Sequence, residues 1–162
     1  MARPADPTPE AFAATLSRGQ RVLGVDLGTK TIGLALSDVE RGIASPLETL
    51  PRTKFTPDAE RIGALVRRLD VGGLVVGLPL NMDGSEGPRS QSTRAFAGRL
   101  AAQLALPLAY WDERLSTLAV TRALLSADTS RARRGELVDK MAAAYILQGF
   151  LDRLRHRAAE TG

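Results

Sequence analysis

The sequence predicts an α/β fold, a mixed central β-sheet with helices on both faces. Two short runs of aliphatic and β-branched residues, Val22–Leu27 and Thr31–Leu36, flank Gly28-Thr29-Lys30, which is the pattern of a β-hairpin. Leu74–Gly77 is a short, fully apolar run of the kind found in buried parallel strands. The predicted order β-β-β-α-β-α-β-α-α then mixes hairpin-joined strands with strands separated by helices, which calls for both sheet faces to be covered.

Residues Met1 to Gly19 hold Pro4, Pro7 and Pro9 and then a short helical pattern at Phe12–Leu16. They read as an extension outside the core, either a flexible arm or a surface helix. The division expected is therefore 1–20 as N-terminal extension, 21–157 as the folded domain and 158–162 as a tail. In the hairpin, period-two geometry puts Asp26 on one face with Val22 and Gly24, while Leu23, Val25 and Leu27 fill the other. On the second strand Ile32, Leu34 and Leu36 share a face, and Gly33, Ala35 and Ser37 share its opposite. An acid is out of place within an apolar strand, and small neighbours leave an open polar floor for a metal ion or phosphate. The bland alternative is an Asp that merely caps the turn.

Ile43–Leu50 reads as a third strand, at an edge or bulge because of Pro46. Thr56 as cap, Pro57 in the first turn and the acids Asp58 and Glu60 open a helix. Ile62, Leu65, Val66 and Leu69 give it an apolar stripe. Gly72-Gly73 reads as punctuation before the apolar strand. The loop Leu78 to Gly87 then leads into a helix from Pro88 to Leu104, with Arg89 and Arg94 near its start. A glycine-rich connection from a strand's carboxyl end to a helix's amino end is where open α/β sheets bind ligands.

Leu106–Trp111 is a further strand, running into Asp112-Glu113-Arg114, after which Ser116 or Thr117 starts a helix to Ser126. Trp111 reads as core, with base stacking as the alternative. Ala127 to Gly135 lacks periodicity, carries Arg131, Arg133 and Arg134, and reads as a mobile basic loop. The last helix is expected from Glu136 to Arg157. On it Asp139 precedes Ala142, Ala143, Ile146 and Phe150 at offsets that put it at the amino end of the buried stripe.

Composition narrows the chemistry. The 162 residues are enough for one domain with a single core. A hydrophobic fraction of 44% and a charged fraction of 25% are those of an ordinary globular protein. The net charge of +4 comes almost entirely from arginine, whose planar fork suits phosphate, so an anionic partner such as nucleic acid is expected. The absence of cysteine excludes disulfides, thiolate zinc sites and a Cys nucleophile, and the lone His156 excludes a histidine cluster. Any metal must be held by oxygen, which points to Mg²⁺ or Mn²⁺. No apolar run approaches the roughly 20 residues that cross a bilayer, and the N-terminus lacks a signal peptide's apolar core. The cytoplasm is expected, with no membrane partner.

Three isolated carboxylates thus stand out: Asp26, Glu113 and Asp139. A mixed sheet lets them converge at one edge, where oxygen ligands around a shared point suit a two-metal phosphodiesterase. Asp112 is the substitute should Glu113 point away.

The segments VDLGTKTIGLALSD, VVGLPLNMDGSEGPRSQ, WDERLST and LVDKMAAAYIL, in this order, resemble the YqgF family of bacterial proteins. The resemblance spans Arg21 to Leu151. It implies an RNase H-like fold and a metal-dependent nuclease, described for the family as Holliday-junction-resolvase-like or as maturing the 5′ end of small-subunit (16S) ribosomal RNA. It further implies Asp26, Glu113 and Asp139 as catalytic acids and ligands of two Mg²⁺ or Mn²⁺ ions, with Asp26 bridging them. Thr29 and Lys30 are expected at a phosphate near the scissile bond, and Asn81, Arg89, Arg114, Arg131, Arg133 and Arg134 along the nucleic-acid backbone. Resolvases proper carry a fourth acid and this pattern supplies three, so cleavage of a ribosomal RNA precursor is the first expectation and resolution of branched DNA the alternative. A monomer suffices for the former, while a four-way junction calls for a homodimer. DLGTKTIG is also close to the phosphate hairpin of actin-like ATPases, which need two such domains where this chain has length for one. A nucleic-acid-binding module without catalysis would have no use for the three acids.

Overall fold

The structure, a computed structural model, describes residues 5–115 and 131–161, the side chains of 131–139 and 157–161 excepted. The hairpin forms as expected: β1 (Arg21–Leu27) pairs antiparallel with β2 (Thr31–Ser37), and Asp26 stands opposite Gly33. Where this ladder runs out, the Val22 N–H donates to the buried Ser37 hydroxyl at 2.8 Å. β3 (Ala44–Pro51) pairs antiparallel with β2, while β4 (Val71–Leu78) and β5 (Leu108–Asp112) extend the sheet in parallel from β1. The resulting five-stranded order is β3-β2-β1-β4-β5. β3 is an edge, and its register shifts so that Leu47 is an extra residue between Pro46 and Glu48, the bulge that Pro46 predicts.

The alternation in β1 and β2 divides the core in two. Leu23, Val25, Leu27, Ile32 and Leu34 pack beneath α2 (Phe55–Arg68) and α3 (Pro88–Leu104) with Ile62, Val66, Phe96 and Leu100. Val22, Ala35, Val75 and Ala109 pack on the other face against α4 (Arg131–Thr161) through Ala143, Ile146, Leu147 and Phe150. Helices therefore cover both faces.

Several local expectations are corrected. Gly72-Gly73 does not interrupt the chain but lies inside β4. A side chain at Gly73 would run into the Phe12 ring, so this glycine is the seat of α1 (Pro9–Ala14). The extension expected outside the core sends Phe12 into it, 1% exposed and edge-on to Phe150 at 5.4 Å. Thr56 does not cap α2, whose N-cap is Lys54 with no side-chain bond. The buried Asp58 reaches back instead, accepting from the Thr53 N–H at 3.0 Å and its hydroxyl at 2.7 Å, and from Arg61. Residues 131–135, expected in a mobile loop, belong to α4, because Arg and Ala are good helix formers even without an apolar stripe. The helix expected up to Ser126, the remainder of that loop at 127–130, and residue 162 of the expected tail lie outside the described residues. Among the described residues no helix is long and apolar enough to cross a membrane.

Candidate active site

Asp26 sits on the face of β1 that α4 covers, and only 9% of it is exposed. The predicted open floor beside it is partly closed. A methyl group on Gly24 would meet the Leu147 Cβ at 2.8 Å and the Ala143 carbonyl at 3.0 Å, and one on Gly77 would meet Ile146. These glycines admit a helix where a ligand was expected, and α4 lies almost on the sheet.

That close approach orders the site. α4 runs antiparallel to β4: Gly77 meets Ile146, whereas Gly73 meets Phe12, which packs on Phe150. The amino-terminal half of α4 thus lies towards the carboxyl ends of β1, β4 and β5. Asp139 is one turn before Ala143, about 6 Å along the helix, and Asp26 is two residues beyond Gly24, about 6.6 Å along the strand. The backbones accordingly place positions 26 and 139 on the same side of this contact, both towards the carboxyl ends of the strands, although the Asp139 side chain is not among those described.

Glu113 directly follows β5, half-buried, and its N–H donates to the Leu78 carbonyl at 3.1 Å, prolonging the parallel pairing. Ala109 and Trp111 belong to the α4 face, so alternation puts position 113 on that face and Asp112 on the other. Asp112 is engaged elsewhere. It accepts from Arg114 at 2.6 and 3.0 Å, and this charge-assisted pairing holds its carboxyl below the usual range. Trp111 is partly buried and packs on the core, edge-on to Phe150 and close upon Gly149.

The candidates for holding the nucleic-acid backbone fall into three places. Thr29 and Lys30 are exposed at the hairpin turn, which the Gly28 N–H closes on the Thr31 carbonyl at 2.8 Å. Asn81, Arg89 and Arg114 surround the β4–α3 connection, where Arg114 also donates to the Asn81 and Met82 carbonyls at 3.3 and 3.0 Å. The Asn81 amide donates to the Ser85 hydroxyl at 3.0 Å. Arg131, Arg133 and Arg134 lie on the first turn of α4, with their side chains outside the description. Sequence reasoning missed Arg52, whose guanidinium donates to the Gly28 carbonyl at 2.7 Å and braces the turn from behind. It also passed over the role of Arg94, which holds Glu86 of the connection and Asp6 of the N-terminal segment together at 2.7–2.9 Å. Opposite-charge partners at a helix start and in the preceding loop were the available signal for Arg94.

Among the described residues no group of three or more acids or histidines gathers as a metal site. The donors at this edge are carboxylates, with Asp26 held rigidly in a central strand, a donor set that fits a hard divalent cation.

The comparisons with known proteins agree with this architecture. Residues 20–153 match the family described as RuvX, Holliday junction resolvase. A Paramagnetospirillum magneticum protein named "Putative pre-16S rRNA nuclease" is 67% identical over 144 residues, covering 89% of this chain and 93% of its own length. A protein of the same name from Methylocella silvestris is 64% identical, covering 87% and 88%. In structure the chain is similar to T. thermophilus RuvC in complex with a Holliday junction substrate, with a TM-score of 0.55 at 16% identity over 84% of this chain and 96% of that one. The Fowlpox virus resolvase, in complex with Holliday junction DNA, gives 0.51 at 10% identity over 83% and 99%. These likenesses establish the RNase H-like, RuvC-like fold, and the sequence matches establish kinship: the chain belongs to the RuvX, or YqgF, family.

Proposed function

We propose that this protein is a metal-dependent nuclease that hydrolyses phosphodiester bonds at the 5′ end of pre-16S ribosomal RNA. The observation that carries this reading is Asp26, a carboxylate 9% exposed in the central strand. Burying a carboxylate is costly, and an apolar residue would serve the core better, so its retention points to chemistry. The substrate is the one named for relatives 67% and 64% identical to this chain.

Asp26, Glu113 and Asp139 would hold the ions. Bound there, two Mg²⁺ or Mn²⁺ ions would supply an activated water and offset charge on the leaving oxygen of an in-line displacement. The rest of the work is the chain's own. β1, buried on both faces, keeps Asp26 from shifting under load, and the clamp of Arg114 on Asp112 and the 81–82 carbonyls steadies the peptide that carries Glu113. Thr29 and Lys30 would meet a phosphate beside the cut. Asn81, Arg89, Arg114 and the arginines 131, 133 and 134 would hold the backbone on either side, contacts that position a strand without reading its sequence. This work would take place in the cytoplasm.

The test compares wild type with Asp26→Asn on a 5′-extended 16S precursor, an unrelated single-stranded RNA and a four-way DNA junction, each with Mg²⁺, Mn²⁺ or chelator. Metal-dependent cutting of the precursor that disappears in the variant is the expected result. Binding without cutting, unchanged by the substitution, would overturn it. A second reading, junction resolution by a homodimer, is favoured by the description of the matching family; paired symmetric nicks on the junction would select it.

A further inference from the structure

Between the hairpin turn and α3 lies a pocket of about 60 Å³, lined by Gly28, Thr29, Arg52, Arg89, Ser92 and Thr93. It opens on the side of the sheet that Leu27 faces, opposite to Asp26. Arg52 is held in place by the Gly28 carbonyl and by the Phe96 ring, 5.6 Å from its guanidinium carbon. Arg89 is exposed at the second position of α3, whose first turn contains no acid. Neither arginine has an ion-pair partner among the described residues. Thr93 is 3% exposed, and among the described residues no hydrogen bond engages its hydroxyl.

The set is one-sided: two guanidinium groups, the hydroxyl of a buried threonine open to the pocket and the positive end of a helix dipole, with no anion among the described residues to answer them. A hydroxyl facing a pocket can donate to an anion's oxygen, and guanidinium forks match the oxygens of phosphate. At about 60 Å³, room for roughly two waters, the pocket is of a size for the oxygens of one phosphate.

We propose that this pocket binds a single backbone phosphate of the nucleic acid, next to the one presented to Asp26. Successive residues 26 and 27 face opposite sides of the sheet, so the phosphate in the pocket cannot be the one that reacts. The strand must then bend over the turn at Gly28–Thr29, which acts as a saddle between the two phosphates. The identity of the ligand rests on the nuclease reading above; the binding itself does not require cleavage.

The test measures binding by fluorescence anisotropy in EDTA. The probes are a single-stranded RNA spanning the 5′ end of 16S RNA and a DNA of the same sequence, each with one uncharged methylphosphonate linkage moved stepwise along the strand. Arg89→Ala, at an exposed position, is expected to weaken binding of the unmodified strand about tenfold. It should reduce the slope of log affinity against log salt by about 0.7, as the loss of one phosphate contact requires. One linkage position should weaken wild type when neutralised and have no further effect in Arg89→Ala. Thr93→Val, which keeps the side chain's shape, should show the same position-specific coupling with a smaller loss. Coupling with RNA and DNA alike identifies the phosphate as the feature held, and coupling with RNA alone adds the sugar. The proposal is overturned if both variants bind with wild-type affinity and salt slope, or if every linkage acts additively with Arg89→Ala. It is equally overturned if inorganic phosphate alone competes at the pocket while no linkage position is coupled. Should neither wild type nor Asp26→Asn cut any of the substrates with Mg²⁺ or Mn²⁺ while the coupling persists, the nuclease reading fails and the pocket stands.

Discussion

Gly24 lies directly beneath Leu147, so close that a single added methyl would come within 2.8 Å of the Leu147 Cβ. That obstacle, like the Ala143 carbonyl beside it, belongs to or adjoins the helix backbone and cannot swing aside. Contact between main chains therefore fixes the height of α4 over β1, and with it the level at which Asp139 stands relative to Asp26.

Gly24→Ala is accordingly expected to destabilise the fold by about 2 kcal/mol through overpacking and to depress cleavage further than the loss of folded protein explains. Gly77→Ala meets only the flexible end of Ile146 and should cost less, with Ile146→Val restoring most of the loss. Urea unfolding and single-turnover cleavage of the four proteins separate the two effects.

Arg114→Lys keeps the charge and loses the fork. The Asp112 carboxyl, held down by the Arg114 hydrogen bonds, should then titrate nearer the ordinary aspartate value. The sign follows from the lowered folded-state value. The pairing contributes fully above the ordinary value of 3.8 and fades as pH falls through the folded one. Cleavage should fall about tenfold, as when an outer support of a metal ligand is lost, with little change in unfolding midpoint. Carbon-13 titration of Asp112 beside a cleavage time course measures both.

Asp58 tests the start of α2. Burial pushes its carboxyl up, but hydrogen bonds from Thr53 and Arg61 outweigh this and leave it below its ordinary 3.8. Its contribution is therefore present above pH 3.8 and lost on further acidification. Asp58→Asn should cost about 2 kcal/mol at neutral pH and flatten the acid limb of stability measured by denaturant titration between pH 3 and 7.

Phe12→Ala should cost about 3–5 kcal/mol, because the ring fills the space over Gly73 and against Phe150. A melting curve unchanged by this substitution would show the N-terminal helix to be dispensable to the core.

These comparisons also show what sequence can reveal. The two sheet faces were legible because Leu23, Val25 and Leu27 alternate with Val22, Gly24 and Asp26, a local pattern with one physical reading. Asp26 and Glu113 stood out because a carboxylate in or beside an apolar strand contradicts its surroundings. Gly73 looks like punctuation in the sequence because its partner, Phe12, is remote along the chain and signals nothing at the glycine. Thr56 looked like a cap because the pattern for caps is local, whereas Asp58 reaches back past it to Thr53. The arginines at the start of α4 carry no helical signature in the sequence, because charge hides periodicity without preventing a helix. Arg52 was invisible for a similar reason, since its value depends on the Gly28 carbonyl and the Phe96 ring meeting it across the fold.

The bulged border at β3 has one more consequence. Pro46 offers no N–H, and the extra residue Leu47 throws the neighbouring groups out of step. A strand arriving from another molecule would find this margin unable to template it. Copies crowded together on the same long, multiply charged polymer could thus gather at high local concentration without zipping into fibrils through this side of their sheets.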